Sequence, residues 1–346
     1  MEAQFVLSKS KLSEQVKVLE DLGLKVSYSY KTNRQVGDIL QIETPSVDFS
    51  IHSDQEIEMI KDKSKISFFT QAESVDELKS ILKTGIKTFV VDNEIDLERI
   101  LEASKELGVK INLSLRMKFQ EHRIGSGKYF VYGMSARKVN EIILEIKDNE
   151  LIDKIGVHIH RKSQNTSEWE IQEEVEDSLD KITLERINSV NIGGGLPAVY
   201  RSSTVDVFPY IFKKLVVARE FLEEHDIEMI IEPGRFIAAP CIELNVEIIQ
   251  IQENNLIVNM TMYNGAIDCI LTGTKMLVKQ ELSDDDACKD FYLIKGNSPT
   301  RDDIFRYKVK LDNPKVGDTL TFLNAGAYNY TTDFFGYKKL ETRFAR

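Results

Sequence analysis

The sequence predicts an α/β chain in which a closed (β/α)8 TIM barrel is followed by a smaller all-β C-terminal domain. Three observations carry that expectation. Residues 25 to 232 alternate short β-rich runs with longer stretches whose apolar residues recur at spacings of three and four. The β-rich runs in that span number eight. After Glu232 the helical period gives way to β-rich runs separated by Gly, Asn, Asp and Pro turns. A doubly wound open sheet shares the alternation, so the count of eight and a span of about 210 residues decide for the barrel.

Taken in order, QFVLSK near the N-terminus reads as a strand that precedes the barrel and is expected to pair with the C-terminal domain. The eight barrel strands are expected at KVSYSYK (25 to 31), VDFSI (47 to 51), ISFFT (66 to 70), TFVVD (88 to 92), KINLSLR (110 to 116), IGVHIH (155 to 160), SVNIGG (189 to 194) and IEMIIE (227 to 232). Between them, SVDELKSIL, EIDLERILEASKELG, SARKVNEIILEIK and FPYIFKKLVVAREFLEEHD carry the apolar stripe of helices packed on one face. IELNVEIIQI, LIVNMTMY, DFYLIKG, YKVKL and TLTFL read as strands of the second domain, and the acid run 283 to 286 as a solvated loop. The boundaries that follow are a barrel over 13–235 and a β domain over 236–346, joined by the N-terminal strand within 1–12.

Composition excludes several functions. With 42% hydrophobic and 29% charged residues in 346, the chain has material for a large core and is neither disordered nor a disulfide scaffold. The formal charge of −11, with no basic run, excludes nucleic acid as the expected partner. Cys241, Cys269 and Cys288 have no metal-ligand spacing and suit reduced thiols, so no metal site is expected. The start MEAQFVLSKSKLSEQV holds no apolar run of the secretory kind and no membrane span is visible, which predicts a cytoplasmic chain.

In a barrel of this type chemistry gathers at the C-terminal ends of the strands. Lys31 closes the first strand, Arg116 the fifth, His160 the sixth, Gly193, Gly194 and Gly195 the seventh, and Glu232, within EPGR, the eighth. Most strand-end lysines are simply solvated. Aromatic and β-branched neighbours are nevertheless expected to desolvate Lys31 partly, which would ease its deprotonation and suit it to a Schiff base. His158 and His160 share one side of their strand, and a satisfied core histidine is the default reading of either. The GGG turn and the EPGR loop fall after strands seven and eight, where barrels commonly bind phosphate. An amine, a flat imidazole, a phosphate cradle and an opposed carboxylate together match the needs of pyridoxal 5′-phosphate.

Several motifs, in order along nearly the whole chain, resemble the alanine-racemase-fold pyridoxal-phosphate decarboxylases, which include ornithine and diaminopimelate decarboxylases. YSYKTN is similar to the family's lysine motif, and IHSDQEI to its S-x-x-E segment, with Glu56 in the glutamate position. GVHIHRKSQ resembles G-x-H-x-H-x-G-S-Q, NIGGG and EPGRFIAA match directly, KGNSPTRDDIF resembles G-P-x-C-x-x-x-D-x-F, and NAGAYNY the closing G-A-Y motif. The resemblance implies that Lys31 carries the cofactor, His160 stacks on its ring and Glu232 pairs with the ring nitrogen. It implies further that Ser163, Gly193, Gly194, Gly195, Gly234, Arg235 and Tyr328 hold the phosphate, with Arg116 also in the cofactor-binding set. Glu232 would keep the ring nitrogen protonated and favour decarboxylation over the racemisation of fold relatives that place an arginine there. It also implies a head-to-tail homodimer with shared active sites, so that Arg301 and Asp303 act on Lys31 of the other subunit.

The departures from the pattern concern the proton and the substrate. Pro299 stands where the family has a proton-donating cysteine, leaving Ser298, Thr300 or Lys31 itself as replacements. The residues that read the distal end of the substrate are altered, with Thr300, Gly273 and Cys269 at those positions, while Ser50 replaces an aspartate and Glu73 a lysine. Arg301, Asp302 and Asp303 are the candidate substrate contacts, and Arg161 and Lys162 add cations beside His160, though solvated charge is the plainer reading of both. The expected activity is decarboxylation of a small-molecule amino acid with a polar or charged distal group, of the kind that feeds amino-acid or polyamine metabolism. A racemase, or a non-catalytic homologue acting as a binding or regulatory protein, is the alternative.

Overall fold

The computed structural model describes residues 1–118, 132–201, 203, 207–283, 285–286 and 290–345. Cys288 and part of the acid run lie outside the described residues. The chain divides into two compact units, one formed by Val16–Leu196 with Asp206–Gly234, the other by Met1–Gln15, Pro197–Val205 and Arg235–Arg346.

The second unit begins with strand β1 (Gln4–Leu7). The first unit is a closed barrel of eight strands, β2 (Lys25–Ser29), β3 (Asp48–Ile51), β4 (Ile66–Phe69), β5 (Thr88–Val91), β6 (Ile111–Met117), β7 (Ile152–Ile159), β8 (Ser189–Asn191) and β9 (Glu228–Ile231). Each overlaps one of the eight expected runs, β7 beginning three residues before its own. Neighbours are parallel in sequence order, and β9 closes on β2 through Lys25↔Ile230 and Val26↔Ile231. The strands are rich in β-branched and aromatic residues because both faces of such a sheet are covered. Tyr28, Phe49, Phe68 and Phe89 are almost wholly buried, and Phe68 meets Phe89 edge-on at 6.2 Å.

The intervening helices start where polar side chains satisfy their first N–H groups. Asn33 caps Arg34–Glu43, Ser74 forms a capping box with Glu77 on Val75–Lys83, and Asn93 caps Glu94–Leu107, which ends at the left-handed Gly108. Strands β2, β4, β5, β7, β8 and β9 stop one to three residues short of the residues expected to end them. Their last residues leave the ladder to form the loops of the barrel mouth, so Lys31 lies in the 3-10 turn Tyr30–Thr32.

The second unit is a sheet of β1 with β10 (Ile242–Gln252), β11 (Asn255–Val258), β12 (Leu277–Val278), β13 (Phe291–Lys295), β14 (Ile304–Lys310), β15 (Thr319–Leu323) and β16 (Glu341–Phe344). β1 runs antiparallel to β10, Gln4↔Asn245 to Leu7↔Ile242, and parallel to β16. Leu244, Val246, Ile248, Leu256, Val258 and Phe322 form its core, with Phe305 stacked on Phe322 at 4.9 Å. The expected strand LIVNMTMY ends at Val258 instead. Thr261 caps a helical turn, Met262–Gly265, reciprocally with Asn264, and that local bonding competes successfully with the ladder. Pro197–Val205, read from sequence as barrel, groups with this sheet unit.

No helix among the described residues is long and apolar enough to cross a membrane, and no group of three or more His, Cys, Asp or Glu among them is placed to hold a metal ion.

Candidate active site

Glu232 follows β9 at the C-terminal end of the barrel and is only 6% exposed. Three donors converge on its carboxylate. Ser50 Oγ, on β3, donates to Oε1 at 2.6 Å, Asn191 Nδ2, at the end of β8, donates to the same oxygen at 2.8 Å, and His158 Nε2, on β7, stands 3.0 Å from Oε2. Burial alone would raise the pKa of this carboxyl, but attraction to the His158 ring and the hydrogen bonds from His158, Ser50 and Asn191 outweigh it and bring the value down to about 2.

Asn191 also orders the glycine turn. Its Oδ1 accepts from Gly193 N at 2.9 Å, and Gly193 O accepts from Glu232 N at 2.8 Å. With a carboxylate on one side and an N–H on the other, the amide has only one satisfying orientation. Gly193 has φ +67° and Gly195 φ +109°, and a Cβ on Gly193 would collide with the carbonyl oxygen of Ile159. A Cβ on Gly194 would come within 2.9 Å of the Glu232 carbonyl oxygen. Gly194 N donates to His160 Nδ1 at 3.3 Å, so the turn fixes that ring.

An Nδ1 that accepts from an amide belongs to a neutral imidazole with its proton on Nε2. The pKa of His160 agrees, lowered to about 4 chiefly by the protein packed around the ring, then by His158, and further by Arg116 and Lys31, against the pull of Glu232. Lys31, Arg116 and His160 all stand at the C-terminal ends of barrel strands, at one mouth. Arg116 pairs with Asp92 at 3.1 Å and lies over the Tyr132 ring at 5.0 Å.

Lys31 is exposed, which corrects the expectation of a partly desolvated amine: the 3-10 turn Tyr30–Thr32 carries it past the end of β2. Ser163 is exposed on the loop after β7. Glu56 is 2% exposed and accepts from the His52 backbone N and faces its Nδ1, both at 3.2 Å. The EPG turn is tied to the first barrel strand by Ser29 N donating to Pro233 O at 3.4 Å, and any Cβ on Gly234 would collide with Thr32 Oγ1. That buried hydroxyl has no hydrogen-bond partner among the described residues.

Other expected residues do different work. Arg161 is buried between Glu168, at 3.8 Å, and Glu174, and Lys162 pairs with Glu168 at 3.4 Å. Solvated charge, the plainer reading, holds for the exposed Lys162 and is corrected for Arg161, since a buried guanidinium needs a carboxylate beside it.

The remaining candidates belong to the sheet unit. Arg235 makes a two-pronged bond to Asp268 at 2.6 and 2.9 Å, donates to Tyr200 Oη at 3.0 Å and lies over the rings of Tyr200 and Tyr328. Its fork is thus turned to a carboxylate of its own unit, where a phosphate contact was expected. Arg301 and Asp302 are 95% and 71% exposed and pair loosely with each other at 3.7 Å.

Asp303 is fully buried. It accepts from Met262 N at 2.8 Å, from Ser298 N at 3.1 Å and from Ser298 Oγ at 2.6 Å. It is a carboxylate that builds a turn, which corrects its assignment to substrate reading, and it occupies the hydroxyl proton of Ser298. Cys269 and Cys241 are buried thiols, both with pKa pushed up to about 12 by that burial.

The sequence reading missed the roles of Ser50, Asn191 and Asp268. Asn191 was recoverable, since a polar residue directly before a GGG turn is a natural anchor for it. The partners of Ser50 and Asp268 are set only by the closure of the fold.

Residues 9–239 match the family model described as the pyridoxal-binding domain of pyridoxal-dependent decarboxylases. Antizyme inhibitor 2 of Xenopus laevis is 23% identical over 93% of this chain and 76% of its own length. Diaminopimelate decarboxylase of Vibrio cholerae is 29% identical over 62% of this chain, and the matched segment spans about half, 54%, of that protein. Among solved structures, diaminopimelate decarboxylase from Helicobacter pylori, complexed with L-lysine, superposes with a TM-score of 0.83 at 19% identity, covering 100% of this chain and 92% of that one. Arginine decarboxylase of Paramecium bursaria Chlorella virus, bound to agmatine, gives 0.79 at 20% identity, covering 100% and 96%. At these identities the superpositions show a shared fold.

Proposed function

This chain belongs to the pyridoxal-dependent decarboxylase family, and from that premise we propose that it removes CO2 from a small amino acid with a polar or charged distal end. The observation that carries the reading is the Glu232 carboxylate, buried and ionised under three donors at the barrel mouth that also carries Lys31.

The residues fit pyridoxal phosphate. Side chains at 193 and 194 would strike backbone, so only glycine keeps this turn bare enough for an anion to approach it closely, and the buried Thr32 hydroxyl has its hydrogen-bonding capacity unspent. When bound, the cofactor supplies a conjugated ring that accepts the electron pair of the breaking carbon–carboxylate bond. Lys31 Nζ, exposed at the mouth, is the amine that would hold its aldehyde carbon. Neutral His160, fixed by Gly194 N, offers a flat face without placing a second cation beside the ring. Glu232 Oε2 offers its remaining acceptor capacity to a ring N–H. Ser163, the turn from Gly193 to Gly195 and Gly234 are the phosphate holders in this reading, and Tyr328 is assigned to the phosphate on its motif alone.

Pro299 has no proton to give and Ser298 Oγ has given its own to Asp303. Of the two candidates left, Thr300 and Lys31, Lys31 Nζ at the barrel mouth is the group assigned to return a proton to the substrate carbon. A head-to-tail homodimer and a cytoplasmic location belong to the same reading, on the resemblance of the motifs. Sedimentation of the purified chain tests the first.

The deciding experiment adds pyridoxal phosphate to the purified protein and follows its visible absorption and CO2 release from a panel of basic and dicarboxylic amino acids. Absorption that Lys31→Ala abolishes, with CO2 released by the wild type, supports the reading. A wild type that stays colourless overturns it. Pro299, together with the likeness to antizyme inhibitor 2 over 93% of the chain, favours a second, non-catalytic reading. Cofactor binding without CO2 release from any substrate would select it.

A further inference from the structure

The hydroxyl of Ser50 has one proton, and an ionised carboxylate can only accept, so that proton points at Glu232 Oε1. Ser27 Oγ stands 2.8 Å from Ser50 Oγ. With Ser50 committed as donor to Glu232, Ser27 must donate to Ser50. The two hydroxyls form a one-way chain, Ser27 to Ser50 to Glu232, that starts two strand positions before Ser29 on the strand leading to Lys31. Ser27, Ser50 and His158 are 1%, 7% and 1% exposed, so water does not compete for these bonds.

His158 closes the other oxygen. Its Nε2 faces Glu232 Oε2, its Nδ1 has no hydrogen-bond partner among the described residues, and Phe69 meets the ring edge-on at 5.0 Å. Only Nε2 therefore has a use for a proton, and the ring is held in one tautomer. Among the described residues no second carboxylate pairs with Glu232, and Ser50 holds the position beside Oε1.

We infer that Ser50, supported by Ser27, and His158 are positioning residues that keep Glu232 ionised and fix the plane of its carboxylate, with a neutral hydroxyl doing this on the Oε1 side. The inference deepens the reading of Glu232 as partner of the cofactor ring and rests on it for its functional consequence, but not for the state of Glu232 itself. Ser50→Ala removes one hydrogen bond to a buried charge, and Ser50→Thr keeps the hydroxyl. Ser50→Asp places a second carboxylate beside Glu232, so the pair must share a proton that Glu232 alone does not need.

The test has two readouts. In the apoprotein, with side-chain carboxyl groups labelled with carbon-13 and the Glu232 signal assigned by its loss in Glu232→Gln, wild type and Ser50→Thr are expected to show no protonation of Glu232 between about pH 5 and about pH 8. Ser50→Asp is expected to show a protonation step inside that window. In the holoprotein, Ser50→Ala is expected to weaken pyridoxal phosphate binding about tenfold and to shift the pH dependence of its visible absorption, with Ser50→Thr within about twofold of wild type. Glu232 remaining unprotonated in Ser50→Asp, with Ser50→Ala matching wild type in affinity and spectrum, would overturn the inference. Should the wild type bind no cofactor, the proposed function fails by itself, and the carbon-13 titration still decides the role of Ser50.

Discussion

His158 Nε2 lies 3.0 Å from Glu232 Oε2, and the two side chains are 1% and 7% exposed. A carboxylate in that setting is stable only while it keeps its charge, because protonation would turn an acceptor of three bonds into a group that cannot satisfy all its donors. The folded-state pKa of about 2 lies below the ordinary 4.5, so the native state resists a proton that the unfolded chain takes up. The associated stability is fully present above about pH 4.5 and is lost as pH falls through about pH 2. Urea unfolding across that range should show a decline on the order of 3 kcal/mol attributable to this group. Glu232→Gln, which has no charge to lose, should remove that component of the slope while lowering stability at neutral pH.

His160 predicts a second, separate window. Its pKa is lowered from 6.5 to about 4, so between those values the unfolded chain binds a proton that the native ring refuses. Stability therefore rises as pH climbs from about 4 to 6.5 and gains nothing more from this group above that. Protein packs around the ring but His160 as a residue is exposed at the mouth, so screening reduces the effect to about 1 kcal/mol or less. His160→Asn should flatten the curve in this window alone, and an unchanged slope would show that the ring is not held neutral by the fold.

Gly193 is expected to tolerate no side chain. Its φ of +67° is in the left-handed region, and a Cβ would collide with the Ile159 carbonyl oxygen, which backbone cannot yield cheaply. Gly193→Ala should cost roughly 2 to 4 kcal/mol, and should also weaken pyridoxal phosphate binding by displacing Gly194 N from His160. Gly336 also has a positive φ, +74°, but nothing lies within 4 Å of its Cβ position, so Gly336→Ala should cost only the backbone term, about 1 kcal/mol. Chemical denaturation of the two variants side by side separates collision from conformation.

Much of this molecule is legible in its sequence. Buried parallel strands write themselves as short apolar runs, and Asn33, Ser74 and Asn93 announce the helices that follow. The mouth residues were findable because glycines and a lone carboxylate at strand ends are costly there unless used. The partners of charges were not findable. Arg161 meets Glu174 and Arg235 meets Asp268 through closures that bring distant segments together, and no local pattern encodes which carboxylate a guanidinium will reach. Ser50 failed for the opposite reason: read against a family pattern it is a missing acid, while in the fold it is a donor aimed at Glu232.

The adjacent residues Arg301, Asp302 and Asp303 show how little proximity in sequence says about cost. Arg301 is 95% exposed and its ion pair with Asp302, at 3.7 Å, is the kind that solvent screens almost completely. Arg301→Ala should leave the unfolding midpoint within about 0.5 kcal/mol of wild type. Asp303 instead satisfies Met262 N, Ser298 N and Ser298 Oγ with no exposure to water. Asp303→Ala strands those three donors and should cost at least about 3 kcal/mol. Asp303→Asn keeps the shape but turns one acceptor into a donor facing an N–H or O–H, so it should fall between the two. Thermal and urea unfolding of the three variants measures the order directly. If Asp303→Ala proved as stable as Arg301→Ala, the buried carboxylate would not be building the turn from Gly296 to Asp303, and its assignment as a structural group would fail.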